Sequence, residues 1–257
     1  MPRVLAIVQA RMGSTRLPGK VLMPALGKPL ILHMLDRVSR SQRIDELWLA
    51  TSDLPADDEL AATVEAAGYK VFRGDESDVL TRFYDLAVQV RPETVVRLTG
   101  DCPLHDPEVI DSLIDAFHES GQFDYGCNAL PPTYPDGLDA EVFSFQALEY
   151  AHKTCTNPFE REHVTLYIHR RFPGSVDPPE ILNVEAPADF SHMRWTLDYP
   201  EDYEFIVKVF EAFADQPEFG WLDVVALTTR RPELLEVNTV AQRNEAIAKA
   251  AAAGQLN

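Results

Sequence analysis

The loop between Gln9 and Lys20 concentrates the residue types that bind phosphate. It contains three cations, two glycines and two hydroxyl residues, namely Arg11, Arg16, Lys20, Gly13, Gly19, Ser14 and Thr15. Glycine lets backbone N–H groups approach a phosphate closely, and hydroxyl groups add further donors. The loop follows an apolar run at 4–10 that predicts a buried strand, and doubly wound sheets bind ligands beyond the carboxyl ends of their strands. Since the chain as a whole is acidic, the pattern predicts an anion site.

Two standard phosphate-binding motifs nearly match this loop, but neither fits. A P-loop has four residues between its glycines and a hydroxyl residue after its lysine. Here five residues separate Gly13 from Gly19, and a valine follows Lys20. The dinucleotide fingerprint GxGxxG is absent as well. The residues therefore leave two interpretations, a phosphate loop of another kind or a basic surface turn.

Two aspartates stand at the ends of predicted strands, where they could bind a metal ion. Asp101 ends a strand at 94–101, and Asp198 lies near the end of a run at 193–199 that also predicts a strand. Carboxylates at such ends can converge on a divalent cation, and magnesium takes one or two protein carboxylates together with phosphate oxygens. Helix capping is the alternative role, although it explains Asp106 better than these two. Spacing alone leaves both roles open.

The elements that must position these residues alternate in the first half of the chain. Short apolar runs predict strands at 4–10, 46–52, 69–74 and 94–101. Amphipathic segments predict helices at 29–41, 56–68, 76–90 and 106–121. Strands that alternate with helices of this length form βαβ units. The expected fold class is therefore α/β, with a mostly parallel, doubly wound sheet.

The alternation ends near residue 125. A stretch rich in proline and turn residues follows at 128–143, and the remaining segments predict helices at 143–155, 161–172 and 200–214, strands at 181–187 and 193–199, and an alanine-rich helix at 246–257. No internal repeat or polar linker divides the chain. We therefore expect one domain over 1–257, with a small inserted α+β subdomain near 128–185.

Composition limits the partners and the location. The 257 residues include 23 Lys and Arg against 41 Asp and Glu, a formal net charge of −18. Such a balance argues against nucleic acid and membrane partners, but it allows one small anion in a local cluster of cations. The three cysteines are far apart and form no CxxC pair, which suits a reducing compartment. The sequence also has no apolar stretch of membrane-spanning length, so we expect a cytoplasmic protein.

The run ARMGSTRLPGKVL resembles the signature of the CMP-sugar cytidylyltransferases. These are the 3-deoxy-manno-octulosonate and acylneuraminate enzymes and, especially, the spore coat polysaccharide biosynthesis protein F-like proteins. The resemblance continues through VRLTGDCPLHDPEVID, YPDGLDAEVF, REHVT and RWTLDYPEDYEFI, and so covers about 1–210. It implies a nucleotide-diphospho-sugar transferase-like fold whose first loop clamps a nucleotide triphosphate. It also matches Asp101 and Asp198 to the paired aspartates that bind Mg²⁺ in that family.

The resemblance implies roles for further residues. It assigns nucleotide binding to Ala10, Arg11, Met12, Gly13, Ser14, Arg16, Lys20, Thr51, Ser52, Asp53, Asp78 and Arg82. It assigns acceptor binding to Asp136, Gly137, Asp139, Glu141, Glu162 and His163. Other interpretations stay open, namely a solvated helix cation for Arg82, an acidic turn for 136–141, and a packed or capping group for His163.

The implied reaction is nucleotidyl transfer from CTP, with Lys20, Arg11, Asp101 and Asp198 as catalytic residues. Charge stabilisation and positioning supply most of the catalysis in such reactions. The expected acceptor is a small acidic sugar or a phosphorylated molecule, and its identity stays open because GDCP and PDGLDAEVF depart from the best-known sugar enzymes. The alternatives are a metal-dependent glycosyltransferase with a nucleotide-sugar donor and a non-catalytic nucleotide-binding protein. By resemblance, 128–185 could also form a homodimer.

Overall fold

The computed structural model describes residues 3–171 and 181–235, so the alanine-rich helix expected at 246–257 lies outside the described residues. The strands are β1 (Val4–Gln9), β2 (Pro24–Ala25), β3 (Lys28–Pro29), β4 (Glu46–Ser52), β5 (Lys70–Gly74), β6 (Thr94–Thr99), β7 (Tyr125–Cys127), β8 (Glu141–Ser144) and β9 (Leu182–Asn183). The α-helices are α1 (Leu30–Val38), α2 (Asp58–Ala66), α3 (Val79–Val90), α4 (Pro107–Ser120), α5 (Phe145–Thr154), α6 (Pro158–Glu162), α7 (Thr165–Arg171), α8 (Pro200–Ala212) and α9 (Trp221–Arg230).

Seven strands form one sheet in the order β5-β4-β1-β6-β8-β7-β9. β1 pairs in parallel with β4 on one side and with β6 on the other, and β4 pairs in parallel with β5. β8 runs antiparallel to β6 and β7, whereas β7 and β9 are parallel. The predicted α/β class with a mainly parallel sheet is confirmed. Because β1, β4 and β6 run in the same direction, the segments that follow them meet at one edge of the sheet.

Strand β1 is apolar throughout because both of its faces are covered. Val4, Ala6 and Val8 pack into a core with α1 and α4 on one side of the sheet. Leu5 and Ile7 pack into a second core with α3 and α5 on the other side. A strand buried on both faces has no polar alternation, which is the pattern of a central parallel strand. The two cores therefore fix β1 and the loop that follows it.

A third core joins α8 and α9 to the segment around Trp195. Helix α9 is missing from the sequence-based expectations, although Trp221, Val224 and Leu227 recur at helical spacing on its buried face. Because Trp195 and Leu197 belong to this core, it holds the segment before α8 that leads to Asp198.

The prediction of a strand at 193–199 is wrong. This segment forms only an isolated bridge, between Arg194 and Asp136, and is otherwise irregular. Trp195 and Leu197 are fully buried, which explains the apolar alternation in the sequence. The segment is fixed by packing and by single hydrogen bonds, such as that from the Leu197 N–H to the Asp101 carbonyl at 2.7 Å.

The single helix predicted at 161–172 is also wrong. Helix α6 ends at Glu162 and α7 begins at Thr165, because Val164 between them has φ of 56°. This left-handed conformation is unfavourable for a β-branched residue, and it breaks the helical hydrogen bonding. Val164 is fully buried, so the surrounding core holds the break in place.

The range 128–185 contributes to the main sheet. β8 lies at the end of the proline-rich stretch, and β9 covers only two residues of the strand predicted at 181–187. A role of this range in acceptor binding or dimerisation stays a prediction. Among residues 3–171 and 181–235, the helices are all too short or too polar to cross a membrane.

Candidate active site

A cavity of about 220 Å³, here called the phosphate cavity, lies at the carboxyl ends of β1 and β6. Much of its wall is the loop after β1, and Asp101 and Asp198 both contribute to it. The lining residues are Gln9, Ala10, Arg11, Ser14, Arg16, Lys20, Val21, Glu76, Val79, Arg82, Thr99, Gly100, Asp101, Glu162 and Asp198. The fold therefore brings the cations of the predicted phosphate loop together with both carboxylates that the sequence singled out.

The loop after β1 folds back on itself. Gly19 has φ of 69°, a conformation that glycine adopts without steric cost, and its N–H donates to the Met12 carbonyl at 3.3 Å. The Ser14 hydroxyl accepts a hydrogen bond from the Leu17 N–H at 3.3 Å. A 3-10 turn then begins at Lys20. This closure returns Lys20 to the strand ends.

Asp57, which the sequence analysis did not select, ties the loop to the end of β4. Its carboxylate accepts hydrogen bonds from the Met12 N–H at 2.7 Å, from the Ser52 N–H at 3.1 Å and from the Ser52 hydroxyl. Burial alone would raise the pKa of Asp57, and these hydrogen bonds hold it below its ordinary value. In the sequence Asp57 looks like an ordinary cap just before α2, so its contact with the loop is not evident.

Lys20 bridges the two candidate metal-binding aspartates. Its Nζ lies 3.0 Å from Oδ2 of Asp101, 3.0 Å from Oδ1 of Asp198 and 2.7 Å from the Leu197 carbonyl oxygen. Burial opposes ionisation of Lys20, but the two carboxylates raise its pKa. Burial likewise opposes ionisation of Asp101, but Lys20 lowers its pKa to about 2. Lys20 and Asp101 are therefore both charged at neutral pH.

The two oxygens of Asp198 have different partners. Oδ1 accepts from Arg16 at 2.7 Å as well as from Lys20, whereas Oδ2 accepts from Arg194 at 3.1 Å. The guanidinium of Arg16 also lies 5.1 Å from the centre of the Tyr199 ring. Arg16 and Lys20 belong to the loop, while Arg194 belongs to the irregular segment before α8.

Two further arginines line the phosphate cavity. Arg11 is half exposed. Its Nη1 lies 3.5 Å from Oε1 of Glu76, and its Nη2 lies 3.6 Å from Oε1 of Glu162. Arg82 is buried, and it donates to the Glu76 carbonyl at 3.2 Å. Its Nε has no hydrogen-bond partner among the described residues. Burial and, to a smaller extent, the charge of Arg11 lower the pKa of Arg82. A buried arginine with spare donors, inside a cavity lined by other cations, suits an anionic ligand.

The other residues predicted to contact the nucleotide are absent from the described lining of this cavity. Thr51 and Ser52 are buried at the end of β4, and Asp53 is exposed. Asp78 caps α3 and forms an ion pair with Arg161 at 2.8 Å. The described lining of the phosphate cavity omits six predicted residues, namely Met12, Gly13, Thr51, Ser52, Asp53 and Asp78. Their contacts with a nucleotide stay predictions.

A second cavity, of about 500 Å³ and here called the acceptor cavity, adjoins the first and shares Arg16, Thr99, Asp101 and Asp198 with it. It also contains four of the residues predicted to bind the acceptor, namely Asp136, Asp139, Glu141 and His163. Glu162 lines the phosphate cavity instead. The candidate metal-binding aspartates therefore lie where the two cavities meet.

Polar side chains at the floor of the acceptor cavity form a network that the sequence did not reveal. Glu141 pairs with Arg97 and accepts a hydrogen bond from the Tyr125 hydroxyl at 2.8 Å. Burial alone would raise the pKa of Glu141. The charge of Arg97 and the hydrogen bonds that Glu141 accepts lower this pKa below its ordinary value. Burial and the nearby Arg97 lower the pKa of His163, so its imidazole is neutral at pH 7. Arg97 was missed because it lies within a strand run that is otherwise apolar.

Gly137 is absent from the described lining of the acceptor cavity, but it lies in the turn that carries Asp136 and Asp139. Its φ is 115°, and a Cβ on it would lie 2.6 Å from the Trp195 carbonyl carbon. Only glycine permits this close approach of the 136–139 turn to the irregular segment before α8. The acceptor role predicted for Gly137 stays a prediction.

The donor set suits magnesium bound together with phosphate oxygens. Within residues 3–171 and 181–235, no group of three or more His, Cys, Asp or Glu side chains could hold a metal ion. Asp101 and Asp198, however, both reach the single Nζ atom of Lys20, so their oxygens already converge on one cation. Magnesium needs only one or two protein carboxylates when a nucleotide supplies the remaining oxygens.

A mainly parallel α/β sheet with a cation-rich loop after its first strand and two carboxylates at the same sheet edge defines the class of α/β nucleotidyltransferases. The sequence profile described as "Cytidylyltransferase" matches residues 5–228. The chain belongs to the cytidylyltransferase family.

Individual relatives agree with this assignment. The chain is 37% identical over 241 residues to the spore coat polysaccharide biosynthesis protein SpsF of Bacillus subtilis, covering 91% of this chain and 97% of that protein. It is 40% identical over 237 residues to a 3-deoxy-manno-octulosonate cytidylyltransferase of Anaeromyxobacter dehalogenans, covering 79% of this chain and 96% of that protein.

Solved structures show the same fold. A cytidylyltransferase from Leptospira borgpetersenii superposes with a TM-score of 0.86 at 30% identity, covering 94% of this chain and all of that one. A CMP:2-keto-3-deoxy-manno-octonic acid synthetase solved in complex with CTP superposes with a TM-score of 0.63 at 19% identity. The superposition covers 82% of this chain and 99% of that one. At that identity the second likeness concerns the fold alone.

Proposed function

We propose that the protein transfers CMP from CTP to an acidic sugar and releases pyrophosphate, in polysaccharide or glycoconjugate biosynthesis. The observation that carries this proposal is the junction of the two cavities at Asp101 and Asp198. The phosphate cavity offers four cationic side chains to a triphosphate, and the larger polar cavity beside it suits a sugar. The name of the Anaeromyxobacter relative supports cytosine as the base and an octulosonate-like acid as the acceptor. The name of SpsF supports a place in polysaccharide biosynthesis.

The loop cations hold the part of the nucleotide that leaves. Arg11, Arg16, Lys20 and Arg82 surround the phosphate cavity, where they would bind the β- and γ-phosphates. An acceptor hydroxyl then attacks the α-phosphorus from the acceptor cavity. A new bond forms from its oxygen to phosphorus, the bond from phosphorus to the bridging oxygen breaks, and pyrophosphate leaves with that electron pair. The proton of the hydroxyl is released to solvent. Holding the leaving group and neutralising its charge account for most of the expected catalysis.

Asp101 and Asp198 would hold Mg²⁺. When bound, the metal neutralises and orients the α-phosphate. The protein's own contribution is to keep both carboxylates convergent. Lys20 performs this task in the ligand-free protein, since its ammonium bonds to both. Lys20 and Arg16 can then exchange a carboxylate partner for a phosphate when the nucleotide binds.

A thermal-shift screen of CTP, UTP, GTP and ATP, each with and without Mg²⁺, tests the nucleotide. A ligand at a hundred times its dissociation constant adds about 2.7 kcal/mol, which shifts the melting temperature of a protein of this size by roughly 5–10 °C. We expect the largest shift with CTP and magnesium. Lys20→Met should abolish it, whereas the matched control Lys70→Met should not, since Lys70 is an exposed partner of Glu46 on β5.

Pyrophosphate release with CTP and a panel of acidic sugars, including 3-deoxy-manno-octulosonate, then tests the acceptor. Release that depends on both substrates supports the proposal. A shift with UDP- or GDP-sugars, but not with CTP, would instead favour a glycosyltransferase. Binding of CTP without turnover on any acceptor would favour a nucleotide-binding protein. A cytoplasmic location and a homodimer belong to the same proposal, and light scattering tests the dimer.

A further inference from the structure

Arg194 binds three carboxylates with one guanidinium. Its Nε and Nη2 donate to the two oxygens of Asp202, each at 3.0 Å. Nη2 also donates to Oδ2 of Asp198 at 3.1 Å, and Nη1 donates to Oδ2 of Asp136 at 3.0 Å. The side chain is only 10% exposed. A planar guanidinium carries five donors in a fixed fork, so it can meet four oxygens on three carboxylates, whereas a lysine ammonium has three donors on one nitrogen.

Asp202 makes this arrangement rigid. It lies in the first turn of α8 and its Oδ2 accepts the N–H groups of Asp198 at 2.8 Å and Tyr199 at 3.0 Å. The same carboxylate therefore fixes the backbone of Asp198 and the guanidinium that holds the side chain of Asp198. Asp202 is nearly fully buried, so it has little freedom to rearrange.

The two oxygens of Asp198 have partners that should respond differently to a bound nucleotide. Oδ1 binds Arg16 and Lys20, which line the phosphate cavity and gain a second anion when a triphosphate arrives. Oδ2 binds Arg194, which lines the acceptor cavity and not the described wall of the phosphate cavity. Oδ1 is thus the oxygen that becomes available to a cation when the nucleotide binds.

We propose that Arg194 is a positioning residue, which holds Oδ2 of Asp198 so that Oδ1 faces the nucleotide-bound metal. Through Asp136 the same guanidinium joins this carboxylate to the acceptor cavity. The inference rests on the proposed function, because it concerns metal-assisted nucleotide binding. A purely structural role for Arg194 would change stability without changing the metal dependence of CTP binding.

Calorimetric titration of CTP with and without Mg²⁺ separates these roles, and it needs no acceptor. In Arg194→Lys we expect CTP affinity without metal to stay within about twofold of the wild type. The gain in CTP affinity on adding Mg²⁺ should fall by at least about 10-fold, as is typical when a partner that orients a metal ligand is removed. The matched control is Arg37→Lys. Arg37 is also buried and binds carbonyl oxygens away from both cavities, so its metal-dependent gain should be unchanged.

A full metal-dependent gain in a folded Arg194→Lys variant would overturn the inference while leaving the proposed function intact. If the wild type itself shows no gain with Mg²⁺, the metal assignment of Asp101 and Asp198 fails and the inference fails with it, while pyrophosphate release from CTP and an acidic sugar tests the proposed transfer separately. Asp202→Asn provides a second variant should Arg194→Lys not fold. It keeps the side-chain volume but weakens the hold on the guanidinium, so it should also reduce the gain, and an unchanged gain there contradicts the proposal.

Discussion

Replacing Asp101 by asparagine should destabilise the ligand-free protein and remove the metal dependence of nucleotide binding. The amide keeps the volume of the carboxylate but loses the ion pair with Lys20 at 3.0 Å. The pKa of Asp101 is held at about 2 instead of the ordinary 3.8. A difference of that size corresponds to about 2 kcal/mol, which we reduce to about 1–2 kcal/mol because the side chain is 30% exposed. For a protein of this size the melting temperature should fall by roughly 3–6 °C.

The direction of the pH dependence follows from the lowered pKa of Asp101. A carboxylate with a depressed pKa stabilises the fold above its unfolded value, and this contribution is lost as the pH falls from about 3.8 to about 2. Between about pH 8 and pH 5 the wild type and Asp101→Asn should therefore differ by a constant free energy of unfolding. Urea denaturation across this range measures the difference.

The functional consequence of Asp101→Asn is measured on the same protein. Calorimetry should show that Mg²⁺ no longer improves CTP binding, and turnover should fall at least ~10²-fold once an acceptor is known. Equal stability of the two proteins at pH 7 would refute the ion-pair argument. A full magnesium effect in the variant would refute the metal assignment of Asp101, whatever its stability.

Three other variants or reactions test separate parts of the structure. Asp57→Asn should weaken CTP binding about 10-fold in calorimetry, because it loosens the hydrogen bonds that tie the loop to β4. Gly137→Ala should lower the free energy of unfolding by at least ~2 kcal/mol in urea, because its Cβ would lie 2.6 Å from the Trp195 carbonyl carbon. The three cysteines are buried with raised pKa values, so a thiol reagent should label them only after unfolding; labelling of the native protein would contradict the burial of Cys102, Cys127 and Cys155.

The sequence was most informative where local pattern and position in the fold coincide. β1 is recognisable because it is apolar throughout, and the loop after it is recognisable because its cations, glycines and hydroxyls are adjacent in the chain. Asp101 and Asp198 were selected because they follow apolar runs. In the structure both carboxylates form an ion pair with the Nζ of Lys20. The reason given for Asp198 was partly wrong, since the segment before it is irregular and not a strand.

Residues that act through contacts distant in sequence were not predictable. Asp57 resembles a helix cap, Arg97 lies within an apolar strand, and Arg194 stands beside a tryptophan in a run that suggested a strand. Their roles depend on partners brought close by the sheet order and by the packing of α8. The break at Val164 was equally hidden, because its left-handed backbone is imposed by the surrounding core and opposed by its own side chain.

The charge balance of the phosphate cavity indicates why a metal should matter for nucleotide binding. Its described lining carries four cations and four carboxylates, namely Arg11, Arg16, Lys20, Arg82, Glu76, Asp101, Glu162 and Asp198. The loop that looked strongly basic in the sequence is thus neutralised by acidic groups from elsewhere in the chain. A triphosphate without magnesium meets no net positive charge there, whereas a bound divalent cation adds two charges beside the α-phosphate. We therefore expect CTP to bind much more weakly without Mg²⁺, and equal affinities in calorimetry would contradict this account of the site.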